Sequence, residues 1–464
     1  MQAFFRPKLA ALTVALFLAL PLTSLARAEM TCSNDGVFHI HKAVALEAAL
    51  RLGDWYPRWA PHMAHGYGYP HFNFYAPLGS YLLVALHQFG IIYPLALNLA
   101  LALCVLAAGL GAFAAAREWY GTWAGVAAGV VYGSAPYLAF NVLLRGALAE
   151  SLALVWPPLI LLCIERALQR DSRRWAALGA VCVAALVCSH NVTALIAMPL
   201  VLAVAVLRAW QVGGRSAYSN AAISIAGGLL LSAFFWIPAL LERGSIQTDQ
   251  LLVPPIFTYY TNYLTLGELL ALPTPTYYKL VNPSPAKAVG ALAAGLAILG
   301  GLAALYMPRV SSAARAHSKQ RAALTGVLAF AFVIYCLFTL KSQVQHGTAF
   351  RCCHLYSFRG ACWAQQVCAL RCWRVRLRRA SARWHRWQPA ALQSQRCSEI
   401  FRGGIHATAE TLPRPLSPAC LSMNMQPTPL ALQPKASSCR SWCAPCQQTT
   451  ALPAHLCAAK NRSA

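Results

Sequence analysis

Seven stretches of this chain carry almost no charge: residues 95–116, 122–140, 176–187, 192–206, 221–241, 289–306 and 322–340. Several approach the roughly 20 apolar residues that a helix needs to cross a bilayer. In lipid every backbone polar group must be satisfied internally, which leaves only helices or closed barrels as spanning structures. The runs are rich in Gly and Ala and do not alternate, so they do not describe barrel strands. The expected fold class is an all-α polytopic membrane protein. Composition agrees, since 11% of the 464 residues are charged, against about 25% in soluble domains.

The formal net charge of +25 raises nucleic-acid binding as a class, and its distribution argues against it. Sixteen Lys/Arg and two acids lie from Arg351 onward, and most of the other basic residues occupy short loops between apolar runs. An excess of Lys/Arg in cytoplasmic loops is the ordinary cause of that pattern. Residues 1–28 place Arg6 and Lys8 ahead of an apolar stretch and end Ala26-Arg27-Ala28. They read as a cleaved signal peptide or as a first transmembrane helix, and both readings put Asp35 on the far side of the membrane. Residues 29–94 then form a large first extracytoplasmic loop with a juxtamembrane helix at 78–89. Residues 95–345 form a transmembrane bundle with outer loops at 141–150, 189–191 and 242–288. This path puts thirteen basic residues inside against three acids, Glu118, Glu165 and Asp171. The expected location is the inner (plasma) membrane, multi-pass, with a cytoplasmic N-terminus if the first helix is uncleaved.

The outer loops collect the polar groups. Asp35 and His39 are four residues apart, on one face if a helix starts there, with His41 and Lys42 close by. Asp35 equally suits a helix cap. Trp55, Tyr56, Trp59, Tyr67, Tyr69, Phe72, Phe74 and Tyr75 fit an interfacial aromatic belt. Arg145 and Glu150 suit either a helix-end pair or a site, and Ser189-His190-Asn191 either a cap or a site. Ionisable residues at membrane depth are functional by default.

Four motifs occur in order: DGVFHIHKAVALEAALRLGDWYPRWAP, GYGYPHFNFYAPLGSYLL, RGALAE and SHN. Over roughly residues 1–345 the chain resembles a family of bacterial integral membrane proteins labelled "6-pyruvoyl-tetrahydropterin synthase-related domain, membrane protein". No zinc constellation of a soluble pterin synthase accompanies it. That family is similar in architecture to the GT-C glycosyltransferases, which take sugars from polyprenyl-phosphate carriers. The resemblance implies Asp35 as base or metal ligand, His39 as its partner and Glu150 as the second acid. Arg145 becomes the phosphate clamp, because a guanidinium grips two oxygens at once. His190 would contact phosphate or acceptor, and Arg58, Tyr67 and Tyr69 would line the substrate path. The chemistry is consistent: the acceptor hydroxyl needs a base, and the leaving phosphate needs positive charge. Asp35 is flanked by Asn34 and Gly36 rather than a second acid, so no metal ligand set and no cofactor is assigned, and a divalent metal stays open. Lys42 stands where the relatives are expected to carry arginine. The expected partners are membrane lipid and a lipid-linked sugar, with no nucleic acid; protein partners are not specified. A lipid-linked saccharide transporter or flippase is the alternative, although no inverted repeat marks one; a non-catalytic scaffold for envelope assembly is another.

Composition changes abruptly near Phe350. Eleven of the 17 cysteines follow it, and the candidate zinc pair Cys443-x-x-Cys446 has no convincing second pair at regular spacing, which such a site normally needs. Back-translating residues 353–368 and reading one frame over can give PFVQFPWRLLGPAGL, which resembles the membrane-entry segment of the relatives. The expectation is a frame shift. Residues 351–464 would then be an unstructured tail, later helices would be missing, and the chain would be inactive as written.

Overall fold

The structure, a computed structural model, describes residues 7–247, 263–271, 289–306 and 312–340, all within one of the chain's two units. The Cys/Arg-rich tail, with its expected frame shift, lies outside the described residues, as does most of the 242–288 loop. The helices are α1 (Pro7–Leu22), α2 (Gly36–Arg51), α3 (His71–Phe74), α4 (Leu78–Gln88), α5 (Tyr93–Tyr120), α6 (Thr122–Gly133), α7 (Pro136–Phe140) and α8 (Leu148–Ala153). There follow α9 (Trp156–Gln169), α10 (Arg173–Ser189), α11 (Asn191–Val212), α12 (Gly214–Leu231), α13 (Ala233–Leu241), α14 (Leu266–Leu270), α15 (Ala291–Tyr306) and α16 (Ser312–Thr339). Among the described residues there is no strand, only the isolated bridges Ala60–Tyr69 and Leu264–Leu340.

Among the described residues six segments are long and apolar enough to cross a membrane: Pro7–Leu25, Tyr93–Tyr120, Thr122–Arg145, Leu148–Gln169, Asn191–Val212 and Lys319–Thr339. A seventh is made by α12 and α13 if their 60° bend is one span. The protein is therefore an all-α polytopic membrane protein. α4, with eleven residues, is about 16 Å long and falls short of the roughly 30 Å hydrocarbon core. The apolar run that starts at Thr122 continues to Arg145 through a wide turn at Asn141–Arg145 with π-helical bonding. The following span is broken between α8 and α9, where Pro157 and Pro158 occupy the first turn of α9, the helix position that needs no N–H donor.

Close packing is set by small residues. Gly125, Gly129 and Gly133 lie at four-residue spacing on α6 and are all buried. A Cβ at Gly129 would meet the Gly109 carbonyl of α5 at 2.9 Å. Lipid tails give helices no hydrophobic reason to associate, so backbone approach through such stripes supplies the packing. Glu47 fixes the C-terminal end of α2, accepting from Tyr93 Oη at 2.6 Å and Arg51 at 2.7 Å.

The chain alternates between two ends of the bundle. At one end Glu118 pairs with Arg166, and Arg208 grips Glu165 with two bonds of 2.7 and 2.8 Å. At the other end lie Asp35, Arg145, Glu150 and His190. Gly129→Ala should push α5 and α6 apart at a cost of about 1–3 kcal/mol, read as a lower Tm in detergent; an unchanged Tm would mean the two helices pack elsewhere.

Candidate functional site

The site starts from two backbone turns. Gly146 follows the π-turn with φ +64, a left-handed conformation that glycine adopts without cost. A Cβ there would strike Ser33 Oγ at 2.7 Å, and one at Gly36 would strike the same atom at 2.4 Å. The two glycines let the segment before α2 lie directly on the turn after Arg145, where the Asp35 N–H donates to the Arg145 carbonyl at 2.7 Å. π-turns often mark functional positions because they re-aim the side chains around them. Here the turn aims Arg145 back at Asp35.

Arg145 joins two carboxylates from distant parts of the chain. Its Nη2 donates to Asp35 Oδ2 at 3.0 Å and its Nη1 to Glu150 Oε2 at 3.0 Å. Nη1 also reaches Asn141 Oδ1 at 3.1 Å. Glu150 Oε2 accepts further bonds from Tyr137 Oη at 2.6 Å and Asn141 Nδ2 at 3.1 Å. Glu150 is thus the enclosed acid, while the Asp35 side chain is 38% exposed and remains open to a reactant. Asp35 occupies the N-cap position of α2 yet makes no side-chain cap bond. Its carboxylate is committed to Arg145 instead, so the capping alternative does not describe it.

Around this triad stand three imidazoles and one amine. His39 and His71 are buried. Burial holds His39 well below the ordinary imidazole range, with Lys42 next in effect, and burial and Lys42 bring His71 down to about 3. Burial also lowers His190, with Glu150 opposing it and Arg145 and Lys42 reinforcing it. His190 Nδ1 accepts from the Thr193 N–H and so caps α11, which leaves the ring proton on Nε2. Lys42 is 1% exposed, and its Nζ sits 3.6 Å from the Tyr75 ring centre and 4.2 Å from that of Phe38. Burial takes its amine from 10.5 down to about 7, with Asp35 opposing the shift.

The other expected residues lie apart from the triad. Arg58 holds Asn73 Oδ1 at 2.7 Å and pairs with Glu242. They line a cleft of about 360 Å³ together with Trp59, Pro70 and Phe74. Tyr69 stacks on His71 at 6.3 Å between ring centres and so touches the rim of the cluster. Tyr67 is 89% exposed. Among the described residues no group of three or more His, Cys, Asp or Glu side chains is placed to hold a metal ion; the two acids face Arg145.

Sequence reasoning did not select Lys42, His71, Tyr75, Tyr137 and Asn141. Spacing held a signal for some of them: Asp35, His39 and Lys42 recur every three or four residues, as do Tyr137, Asn141 and Arg145, which is one helix face. Of the second trio Tyr137 is hidden inside an apolar run, and Asn141 is an uncharged residue at its end.

The fold and this cluster define a multi-pass helical membrane protein with a partly enclosed polar site at one end of its bundle. Residues 72–345, more than half of the chain, match the family described as "6-pyruvoyl-tetrahydropterin synthase related domain; membrane protein", and the chain belongs to that family. No curated protein and no solved structure matches it. The matched region contains Arg145, Glu150 and His190 and begins after Asp35, His39 and Lys42.

Arg145→Met should leave two carboxylates without their counter-charge. Breaking a fully buried pair costs about 3–5 kcal/mol. Solvent screening at the partly exposed Asp35 reduces the expected loss to about 2–3 kcal/mol. Adding Glu150→Gln should restore part of it in chemical denaturation, and no restoration would mean that the pairing is incidental. Lys42→Met should stabilise. The folded amine titrates below the unfolded one, so the unfolded chain binds the extra proton and wild-type stability rises with pH between about 7 and 10.5. The gain in Tm should be full below pH about 7 and absent above about 10.5.

Proposed function

We propose that this protein is a GT-C-like membrane glycosyltransferase that moves a sugar from a polyprenyl-phosphate carrier to an extracytoplasmic acceptor. The observation that carries the reading is the convergence of Asp35, Arg145 and Glu150 at one end of a membrane bundle, with Asp35 the exposed acid. In this mechanism the Asp35 carboxylate takes the proton of the acceptor hydroxyl. The hydroxyl oxygen bonds to the anomeric carbon, and the bond from that carbon to the phosphate oxygen breaks, its electron pair leaving with the phosphate. Arg145 positions Asp35 against Glu150. Its two terminal nitrogens are already engaged by carboxylates, so an incoming phosphate would have to compete for it. His190 presents its Nε2 proton near the same acids, and His39 lines the wall. The cleft of Arg58, Asn73 and Glu242, with Trp59 beside it, is suited to sugar hydroxyls and a sugar face.

Orientation follows from charge. The opposite end of the bundle carries Arg117, Arg166, Arg170, Arg173, Arg174, Arg208 and Arg215. The preference of Lys/Arg for cytoplasmic loops supports a reading with that end on the cytoplasmic side of the inner (plasma) membrane and the Asp35 end outside.

The test is reconstitution of the protein with labelled polyprenyl-phosphate sugars and membrane-extract acceptors. Asp35→Asn should lower transfer by about 100-fold or more and leave binding of the lipid-linked sugar intact. Wild-type transfer in Asp35→Asn would remove it as the base. Movement of the lipid-linked sugar across the bilayer without transfer would assign the cluster to a flippase instead.

A further inference from the structure

Arg145 spends both prongs on Asp35 and Glu150, which leaves a different cation at the site. Lys42 enters the cluster from α2 with its ammonium between the faces of Phe38 and Tyr75. Among the described residues no carboxylate reaches ion-pairing distance of it; Asp35 acts on it only from farther off. Aromatic faces attract a cation, but they supply no hydrogen-bond acceptor of carboxylate strength. A buried charge is normally matched by one.

A second unfilled group lies beside it. His71 Nε2, on α3, is buried without a hydrogen-bond partner among the described residues, and buried polar atoms normally have one. Lys42 is close enough to His71 for its charge to act on the imidazole. The Phe38 ring links them, lying over Lys42 and meeting the His71 ring edge-on at 5.7 Å. Phe38 is 48% exposed, so its ring is the side of the sandwich that can swing away. Turning it would open the ammonium and the imidazole to the same space. An ammonium and an N–H donor from two elements, walled by aromatic faces, match the oxygens of a phosphate group.

We propose that Lys42 and His71 form a phosphate-binding site, closed by Phe38, that holds the phosphate of a lipid-linked substrate. Naming the lipid source rests on the glycosyltransferase reading; the phosphate chemistry does not. Lys42 takes the ionic contact, His71 donates Nε2–H, and Arg145 stays with the acids. The titratable groups that interact with Lys42 are Asp35 and His39 on its own segment, His71 and Tyr75 from the α3 region, and His190 from the bundle end, with Arg145 and Glu150 acting in turn on Asp35 and His190. Glu47, Arg51, His87 and Tyr93 lie farther along α2 and its neighbours. A bound phosphate favours the charged amine, so binding takes up a proton above pH about 7.

The experiment titrates the full chain in detergent with undecaprenyl phosphate, with inorganic pyrophosphate, and with undecaprenol as the anion-free control. Wild-type affinity for undecaprenyl phosphate should fall by about tenfold per pH unit above the amine's titration. Lys42→Met, which removes a buried charge and should fold, is expected to bind it about 10- to 100-fold more weakly, with undecaprenol binding unchanged. His71→Gln should weaken it by about tenfold. Pyrophosphate binding that Lys42→Met also abolishes, with no affinity for undecaprenyl phosphate, would uphold the phosphate site and overturn its lipid source. No phosphate binding by the wild type, or equal binding by both variants, overturns the site. Lys42-dependent binding without sugar transfer keeps the site and overturns the glycosyltransferase reading alone.

Discussion

A guanidinium held between two carboxylates, at the end of helices that cross a membrane, organises this molecule. Charges in such a place are costly unless they are paired and hydrogen-bonded. Arg145 therefore draws Asp35 from the segment before α2 and Glu150 from α8 to one point. The Asp35 N–H to Arg145 carbonyl bond and the bare backbones of Gly36 and Gly146 belong to the same contact. The π-turn that ends at Arg145 has its consequence here too, because without it the long α6–α7 span would carry the side chain elsewhere. Once the contact is made, the long loop after α1 is tied to the bundle near its start. His39, Lys42 and His71 of that segment then fall around the triad.

The two ends of the bundle use the same chemistry differently. At the end proposed to be cytoplasmic, Arg208 and Glu165 are both under 10% exposed and share two short bonds. That is a staple between α9 and α11, closed on both sides. At the other end one acid is enclosed and its partner is half open, and neutral imidazoles line the approach. A low-dielectric surround keeps His39, His71 and His190 uncharged at neutral pH. They can then donate or accept single protons without adding to the local charge. Lys42 stands out in that company because its amine titrates near neutrality.

Motif reading and geometry differ most over Arg145. The resemblance to carrier-dependent glycosyltransferases gives arginine the phosphate, and planar two-pronged geometry makes that natural. In the folded chain the same geometry serves two carboxylates, and Arg145 becomes the residue that orders the acids. Arg58 behaves in a parallel way, held by Asn73 and Glu242 on a separate cleft wall. Both residues show that a cation's role depends on which acids the fold delivers to it.

The fold class was legible from the apolar runs alone, because lipid leaves the backbone only helices or closed barrels and the runs do not alternate as barrel strands would. Asp35, His39, Arg145, Glu150 and His190 were legible as polar exceptions in the loops and at the ends of those runs, and the family resemblance followed from short motifs in order. Tyr137 and Asn141 were not, since Tyr137 inside an apolar run looks like packing and Asn141 is an uncharged residue at the end of that run. His71 and Tyr75 looked like part of an interfacial belt. The tertiary structure alone decided that Asp35 bonds Arg145 across 110 residues of chain, that Glu150 is the enclosed acid, and that among the described residues Lys42 stands without a carboxylate at ion-pairing distance. Those outcomes depend on how closely two backbones approach at Gly36 and Gly146 and on a single π-turn. The close approach is not set by the periodicity of one segment, because it exists only when two distant segments meet, and the π-turn departs from the 3.6-residue period that an apolar run announces.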